Sequence, residues 1–227
     1  MRVPRWGVKQ PDGVAVLASG GVDSAVLVAD LARDGRIVQP LYVRFGLAWE
    51  AVEEAHLRRF LDTLTNLEVR PLVTLDLPVA DVYASHWSVS GTGVPDAESP
   101  DAAVYLPGRN LLLLAKSAVW CVLNGFEVIA LGTLAGNPFA DARPEFFAAA
   151  GDLVQLAMSA PLSVMTPFAG MTKADVVERG HGLALEHTFS CISPRAGLHC
   201  GSCNKCAERQ RAFAALGTRD TTAYAAV

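Results

Sequence analysis

Apolar residues fill Val14 to Ala18 without a break, the pattern of a strand buried on both faces. Ser19-Gly20-Gly21-Val22-Asp23-Ser24 interrupts it, and from Asp23 to Arg33 apolar positions recur at helical spacing until Gly35. Ile37–Val43 predicts a second strand, made less regular by Pro40. Ala48–Leu64 predicts a helix whose solvent side carries Glu50, Glu53, Glu54, Arg58 and Arg59, and Leu67–Leu75 a third strand. Ser85–Pro107 is rich in Ser, Gly, Pro and Asp without periodicity, and loops of that length often serve as lids or binding segments. Asn110–Leu123 then reads as a strongly apolar helix, Glu127–Thr133 as a strand, and Leu134–Ala142 as a second irregular loop. A helix opens at Pro144, where proline is tolerated, and "LSVMTPF" predicts the last strand. Thr172 followed by Asp175 resembles a capping box at the head of one more helix that stops at glycine.

Strands alternating with helices predict the α/β class: a Rossmann-like parallel sheet with crossover helices on both faces and ligands at the strands' carboxyl ends. There is no internal repeat. The expectation is a single domain over 1–227, with a nucleotide-binding core at 13–168 and a helical, cysteine-bearing segment at 169–227.

Composition narrows the function. The 227 residues are 51% hydrophobic and 19% charged, with a formal net charge of -4. That balance argues against nucleic acid as a partner, which usually needs a basic face. "MRVPRWGVKQPDG" has no apolar core of signal-peptide length. The most apolar window, "NLLLLAKSAVWCVLNGF", is interrupted by Lys116 and Asn124 and too short for a bilayer. A cytoplasmic enzyme acting on small molecules, with no membrane partner, is the expectation.

The glycine turn carries the first chemical signal. A Walker loop needs a lysine that is missing, and the dinucleotide fingerprint needs a glycine spacing that is absent. Gly20 and Gly21 allow successive N–H groups to converge on an anion, Ser19 and Ser24 add hydroxyls, and the following helix offers its positive end. Asp23 would repel a phosphate unless a cation stood between them, which suits Mg²⁺. The competing reading is an ordinary strand-to-helix turn. "SGGVDS" resembles the pyrophosphate loop of the ATP pyrophosphatase, or adenine nucleotide α-hydrolase-like, superfamily. The resemblance implies an ATP site over Ala18, Ser19, Gly20, Gly21, Val22, Asp23 and Ser24.

The second signal is "CISPRAGLHCGSCNKC", which spaces Cys191, Cys200, Cys203 and Cys206 as C-x8-C-x2-C-x2-C. In a reducing compartment four such thiolates read as a closed, structural Zn²⁺ site, with an iron–sulfur cluster as the chemical rival. His187 and His199 are not needed as ligands, and Cys121, inside the apolar helix, reads as core.

Both features together resemble the 7-cyano-7-deazaguanine synthase family of queuosine biosynthesis. "LPGRNLLLL" is similar to the family's P-x-R-N segment, and "PLSVMTPFAGMTKADVV" to its strand and threonine-lysine helix start. "TFSCISPRAGLHCGSCNKCAERQRAF" is similar to its cysteine segment. The resemblance implies that ATP adenylates the carboxylate of a deazapurine and ammonia gives an amide. A second activation would dehydrate that amide to a nitrile. It implies Asp23, Lys173 and Arg109 as catalytic, Arg109 and Asn110 as facing nucleotide or substrate, and a homodimer. Read alone, Lys173 is equally a helix-start residue and Arg109 a surface cation.

Two segments depart from the family pattern. "RFGLAWEAVEEAH" replaces a tyrosine-glycine-glutamine stretch, and "NPFADARPEFF" keeps Asp141 and Arg143 of a tyrosine-proline-aspartate-cysteine-arginine run. Asp141 and Arg143 are candidates to read a guanine-like edge, against a helix-leading Asp beside a solvated Arg. Trp49, Tyr105, Phe139, Phe146 and Phe147 are candidates to stack on a flat ring or to fill the core. The alternatives are a divergent C–N ligase acting on another carboxylate, or a non-enzymatic zinc-ribbon module. The latter would use the positive charge of Arg195, Lys205, Arg209 and Arg211. A thiolase would need a catalytic cysteine or cluster ligands near the active site, whereas only Cys121 lies outside the cysteine run and it sits within an apolar helix; no glutaminase domain is read in the sequence.

Overall fold

The computed structural model describes residues 12–226. The N-terminal stretch read above for a secretory signal therefore lies, up to residue 11, outside the described residues. Five strands, β1 (Gly13–Leu17), β2 (Ile37–Arg44), β3 (Val73–Asp76), β4 (Val128–Ala130) and β5 (Ser163–Met165), form one parallel sheet in the order β3-β2-β1-β4-β5. The longer helices are α1 (Val22–Arg33), α2 (Glu50–Leu61), α5 (Arg109–Leu123), α6 (Pro144–Met158) and α8 (Asn204–Ala215). The short ones are α3 (Ala80–Tyr83), α4 (Trp87–Ser90) and α7 (Lys173–Arg179).

Side-chain alternation along β1 divides the core into two layers. Ala15 and Leu17 pack with Leu114, Ala118 and Cys121 of α5, while Val14 and Val16 pack with α1, with Leu57 and Phe60 of α2, and with Val176 of α7. The chain winds outward from β1 through β2 to β3, then returns to β4 on the other side of β1. That reversal opens a crevice at the carboxyl ends of β1 and β4, where ligands bind in open α/β sheets.

Pro40 lies inside β2, paired with Val16 of β1. Val38 N–H donates toward Glu68 on the β3 side, so two residues on the Pro40 nitrogen faces that side as well. There the partner strand is broken at Pro71, and the Gln39 side chain fills the gap by donating to the Pro71 carbonyl. The same proline shortens the third strand: Val69 makes only an isolated bridge to Val38, and regular pairing starts at Val73. The expected loop at Ser85–Pro107 is not wholly irregular, for it contains α4 and a 3-10 turn at Asp101–Val104. The Thr172–Asp175 capping box is formed in both directions.

Candidate active site

A cleft of about 490 Å³ opens at the crevice and takes in the ends of β1, β2 and β4 and the starts of α1, α5, α7 and α8. The glycine turn forms its floor. Gly20 has φ +83, and a Cβ there would stand 3.1 Å from the Glu53 carbonyl oxygen, so both conformation and space require glycine. Ser24 Oγ accepts from Ser19 N–H at 3.1 Å and lies 3.3 Å from Ser19 Oγ. Ala18 and Val22 are buried, tying the loop to the core. No side chain caps α1, whose first residues follow Gly21 directly, so its leading N–H groups are available to an anion.

Asp23 stands at the start of α1. Its Oδ2 accepts from Lys173 Nζ at 2.6 Å, and its Oδ1 is buried with no hydrogen-bond partner. Gly132, just beyond β4, approaches this point so closely that a Cβ would lie 3.1 Å from the Asp23 carbonyl carbon. Lys173 also lies 3.8 Å from Glu208 Oε1. Against the desolvation that lowers it, the two carboxylates raise the Lys173 pKa.

Arg109 opens α5 on the opposite wall, and its Nε is buried without an acceptor. Its positive charge acts on Glu53 and Tyr42, which line the same cleft. The Tyr42 hydroxyl donates to Glu53 Oε2 at 2.8 Å. Burial pushes the Glu53 carboxyl up to about 7, even though Arg109 and the Tyr42 hydrogen bond pull it down. Asn110 is held by Asp141: its N–H donates to Asp141 Oδ2 at 3.0 Å, and its Nδ2 to the Asp141 carbonyl at 2.9 Å. Asp141 thus serves the start of α5 while lining the cleft. Arg143 is exposed ahead of α6 and is not among the residues lining it. Two aromatic pairs complete the walls, Trp49 on Trp87 at 5.7 Å and Tyr105 on Phe139 at 4.7 Å. Phe146 and Phe147 pack into the α5–α6 layer instead.

The four C-terminal cysteines are buried, and their sulfurs all lie within 4.8 Å of one another. Cys200 to Cys206 and Cys191 to Cys203 are each 3.9 Å. A Zn–S bond of about 2.3 Å puts tetrahedral sulfurs roughly 3.8 Å apart, so the donor set fits that ion with no position left open. Backbone N–H groups of Ser193 and Cys200 point at Cys191 Sγ, and that of Cys203 at Cys200 Sγ, as suits thiolates. Arg209 is not the surface cation its sequence context suggests. It is wholly buried, donating to Asp220, Thr188, Thr222 and the Leu185 carbonyl, and it ties the tail to α8. Cys121 is buried in the core, where desolvation pushes its thiol well above the ordinary value.

The family model described as "Queuosine biosynthesis protein QueC" matches residues 13–217. The chain belongs to that family. It is 33% identical to the 7-cyano-7-deazaguanine synthase of Halobacterium salinarum, over 92% of this chain and 94% of the relative. It is 32% identical to that of Thiobacillus denitrificans, over 92% and 97%, and 29% identical to that of Solidesulfovibrio magneticus, over 94% and 96%. Among solved structures it resembles NMN synthetase from Francisella tularensis, with a TM-score of 0.50 at 14% identity, over 92% of this chain and 79% of that one. That likeness is one of fold.

Sequence reasoning missed Glu53, Tyr42, Lys205 and Glu208 in the cleft. It read Glu53 and Glu54 as solvent-facing, yet both are buried. Glu54 binds Arg44 and Arg58, whereas Glu53 turns toward the cleft. The signal was present: Glu53, Leu57 and Phe60 follow the i, i+4, i+7 spacing of one helix face, and two of the three are core residues.

Proposed function

We propose that this chain is an ATP-dependent ligase that converts a 7-carboxy-7-deazaguanine carboxylate, with ammonia, to the nitrile. The observation that carries this reading is the junction of the glycine turn, the Asp23–Lys173 pair and Arg109 around one cleft flanked by aromatic pairs. Ser19, Gly20, Gly21 and Ser24, with the uncapped start of α1, would hold the polyphosphate. Asp23, with its partnerless Oδ1, would hold Mg²⁺, which neutralises phosphate charge when bound. Lys173 and Arg109 would stabilise the charge that builds as the carboxylate oxygen attacks the α-phosphorus and pyrophosphate leaves. Asn110 would face the nucleotide or the base.

The flat base would stack within the aromatic walls, with Asp141 the candidate to accept from its ring N–H groups. Ammonia replacing the adenylate releases AMP and gives the amide; a second ATP would adenylate the amide oxygen with release of pyrophosphate, and departure of AMP carrying that oxygen, with loss of the two N–H protons, yields the nitrile. Zn²⁺ on the four cysteines would be structural. A cytoplasmic location belongs to this reading, supported by the cluster of Cys191, Cys200, Cys203 and Cys206, whose arrangement suits a metal site rather than disulfides. No helix among the described residues is long and apolar enough to cross a membrane.

A homodimer through α5 and α6 also belongs to it. Leu111 and Val119 of α5 and Leu153 and Leu156 of α6 are large apolar side chains left exposed, Leu156 by 82%.

The experiment is product analysis by mass spectrometry after incubation with ATP, Mg²⁺, ammonium and 7-carboxy-7-deazaguanine. Nitrile with AMP supports the reading in full, and an amide ends the sequence one step earlier. AMP formed only with another carboxylate overturns the substrate, and no ATP turnover at all overturns the enzyme.

A further inference from the structure

Lys205 sits between the third and fourth cysteines, and its side chain lines the cleft that holds Ser19, Asp23 and Lys173. Its ammonium lies 2.7 Å from Glu208 Oε2. Glu208 Oε1 is 3.8 Å from Lys173 Nζ, which is itself 2.6 Å from Asp23 Oδ2. Asp23, Lys173, Glu208 and Lys205 therefore form a row of alternating charge from the start of α1 to the start of α8. A lysine-carboxylate pair on an open helix surface contributes only a few tenths of a kcal/mol and carries no function. This one is different in placement, for Glu208 is partly buried beside the cleft and shared between two lysines.

The row is self-neutralised while the cleft holds no polyphosphate. A polyphosphate on the glycine turn, with Mg²⁺ on Asp23 and Arg109 on the opposite wall, would still meet the Glu208 carboxylate, which Lys173 cannot offset while it also serves the phosphate. Lys205 restores the balance from the far side. We propose that Lys205 is a phosphate-binding residue of the nucleotide site, held in readiness by Glu208 and carried into the cleft by the cysteine knuckle. The inference rests on the ATP reading above. It gives the cysteine cluster a second consequence: whatever fixes the knuckle also fixes one of the phosphate ligands.

The test is calorimetric titration of Mg-ATP into the zinc-loaded chain and its Lys205→Met and Lys205→Arg variants, with zinc measured in each preparation. Lys205→Met weakens Mg-ATP binding by about tenfold to a hundredfold, as loss of a charge-assisted contact should, while Lys205→Arg stays within about threefold. Zinc content is the same in all three, and the KM for ATP rises in Lys205→Met without a matching change for the base. Equal affinity of Lys205→Met and the unmodified chain overturns this inference and leaves the ATP reading standing. Loss of zinc from Lys205→Met also overturns it, since the lysine would then belong to the knuckle's own fold. Absence of Mg-ATP binding by the unmodified chain overturns the nucleotide reading and this inference with it.

Discussion

Lys173 Nζ lies 2.6 Å from Asp23 Oδ2, although 150 positions separate the two residues. Packing of α7 against α1 brings them together, and the capping box at Thr172 fixes the first turn of α7 from which Lys173 projects. The pair faces the cleft in a state that nucleotide binding would change. If Asp23 also held Mg²⁺, its carboxylate would be shared and the Lys173 ammonium would be freer to meet phosphate.

Lys173→Met therefore lowers the rate of AMP formation by about a hundredfold to a thousandfold, the range for loss of one preorganised charge at a developing anion. Folding suffers less, by about 1–3 kcal/mol for an unpaired Asp23. Chromatographic assay of AMP with urea unfolding of the same samples separates the two effects. An active Lys173→Met variant would remove this residue from the phosphate chemistry.

Glu53 makes stability depend on pH in the direction opposite to an ion-paired acid. Its folded pKa is about 7 against an ordinary value of 4.5, so the native chain keeps a proton that the unfolded chain has released. The penalty is absent below about 4.5 and complete above about 7, reaching at most about 3 kcal/mol. Glu53→Gln keeps an acceptor for the Tyr42 hydroxyl and carries no charge. Urea unfolding at pH 5 and pH 8 should show the unmodified chain losing more stability than the variant across that interval, and parallel losses would refute it.

Metal analysis of the purified chain should return one zinc per chain, with no visible absorption of the kind an iron–sulfur cluster gives. Cys203→Ser or Cys206→Ser loses the metal. Because Asn204 Nδ2 donates to the Ser99 carbonyl and Cys203 bridges Asp96, the knuckle also pins the loop over the cleft. Metal loss should thus raise protease sensitivity at both 92–104 and the tail, visible as early cleavage fragments by mass spectrometry.

The fold was legible because its signals are local. A buried run, a glycine break and a helical period define β1, the turn and α1, and the cysteine spacing needs no tertiary information. The cleft's charged lining was not. Glu53 looks like one more acid in a charged helix, and only its spacing to Leu57 and Phe60 hints at burial. Arg209 likewise reads as a surface cation beside Arg211 until the tail folds back and presents Asp220 and Thr222 to it. Lys205 and Glu208 show their place only when α7 and α8 are set side by side. Pairings of this kind depend on distant segments meeting, which a single sequence does not display.

The exposed leucines of α5 and α6 bear on assembly. A second copy covering Leu111, Val119, Leu153 and Leu156 would remove a patch of the kind monomers rarely leave open. Leu156→Asp places a charge on the most exposed of these side chains and should convert a dimer to monomer in light scattering, with the fold retained. A monomeric unmodified chain would show that these helices have no such partner.

Gly132 offers the sharpest separation of site geometry from stability. A Cβ there would meet the Asp23 carbonyl carbon at 3.1 Å and its oxygen at 3.2 Å, both backbone atoms that cannot rotate away. Gly132→Ala must therefore push the start of α1 from the end of β4, which moves Asp23 and the glycine turn together. Overpacking of this kind costs about 1–3 kcal/mol, and displacement of the phosphate site should cost rate as well as stability. Gly35→Ala is the matched control. It carries φ +81 in the turn after α1, has nothing within 4 Å of the new Cβ, and lies outside the cleft. Its strain of about 1 kcal/mol should leave AMP formation unchanged. Gly132→Ala should lose about threefold to tenfold in kcat/KM for ATP at comparable unfolding midpoints, because a shift of a few tenths of an ångström moves Asp23 and the glycine turn together. If the two alanine variants fall together in both measurements, the contact between β4 and Asp23 matters only for folding.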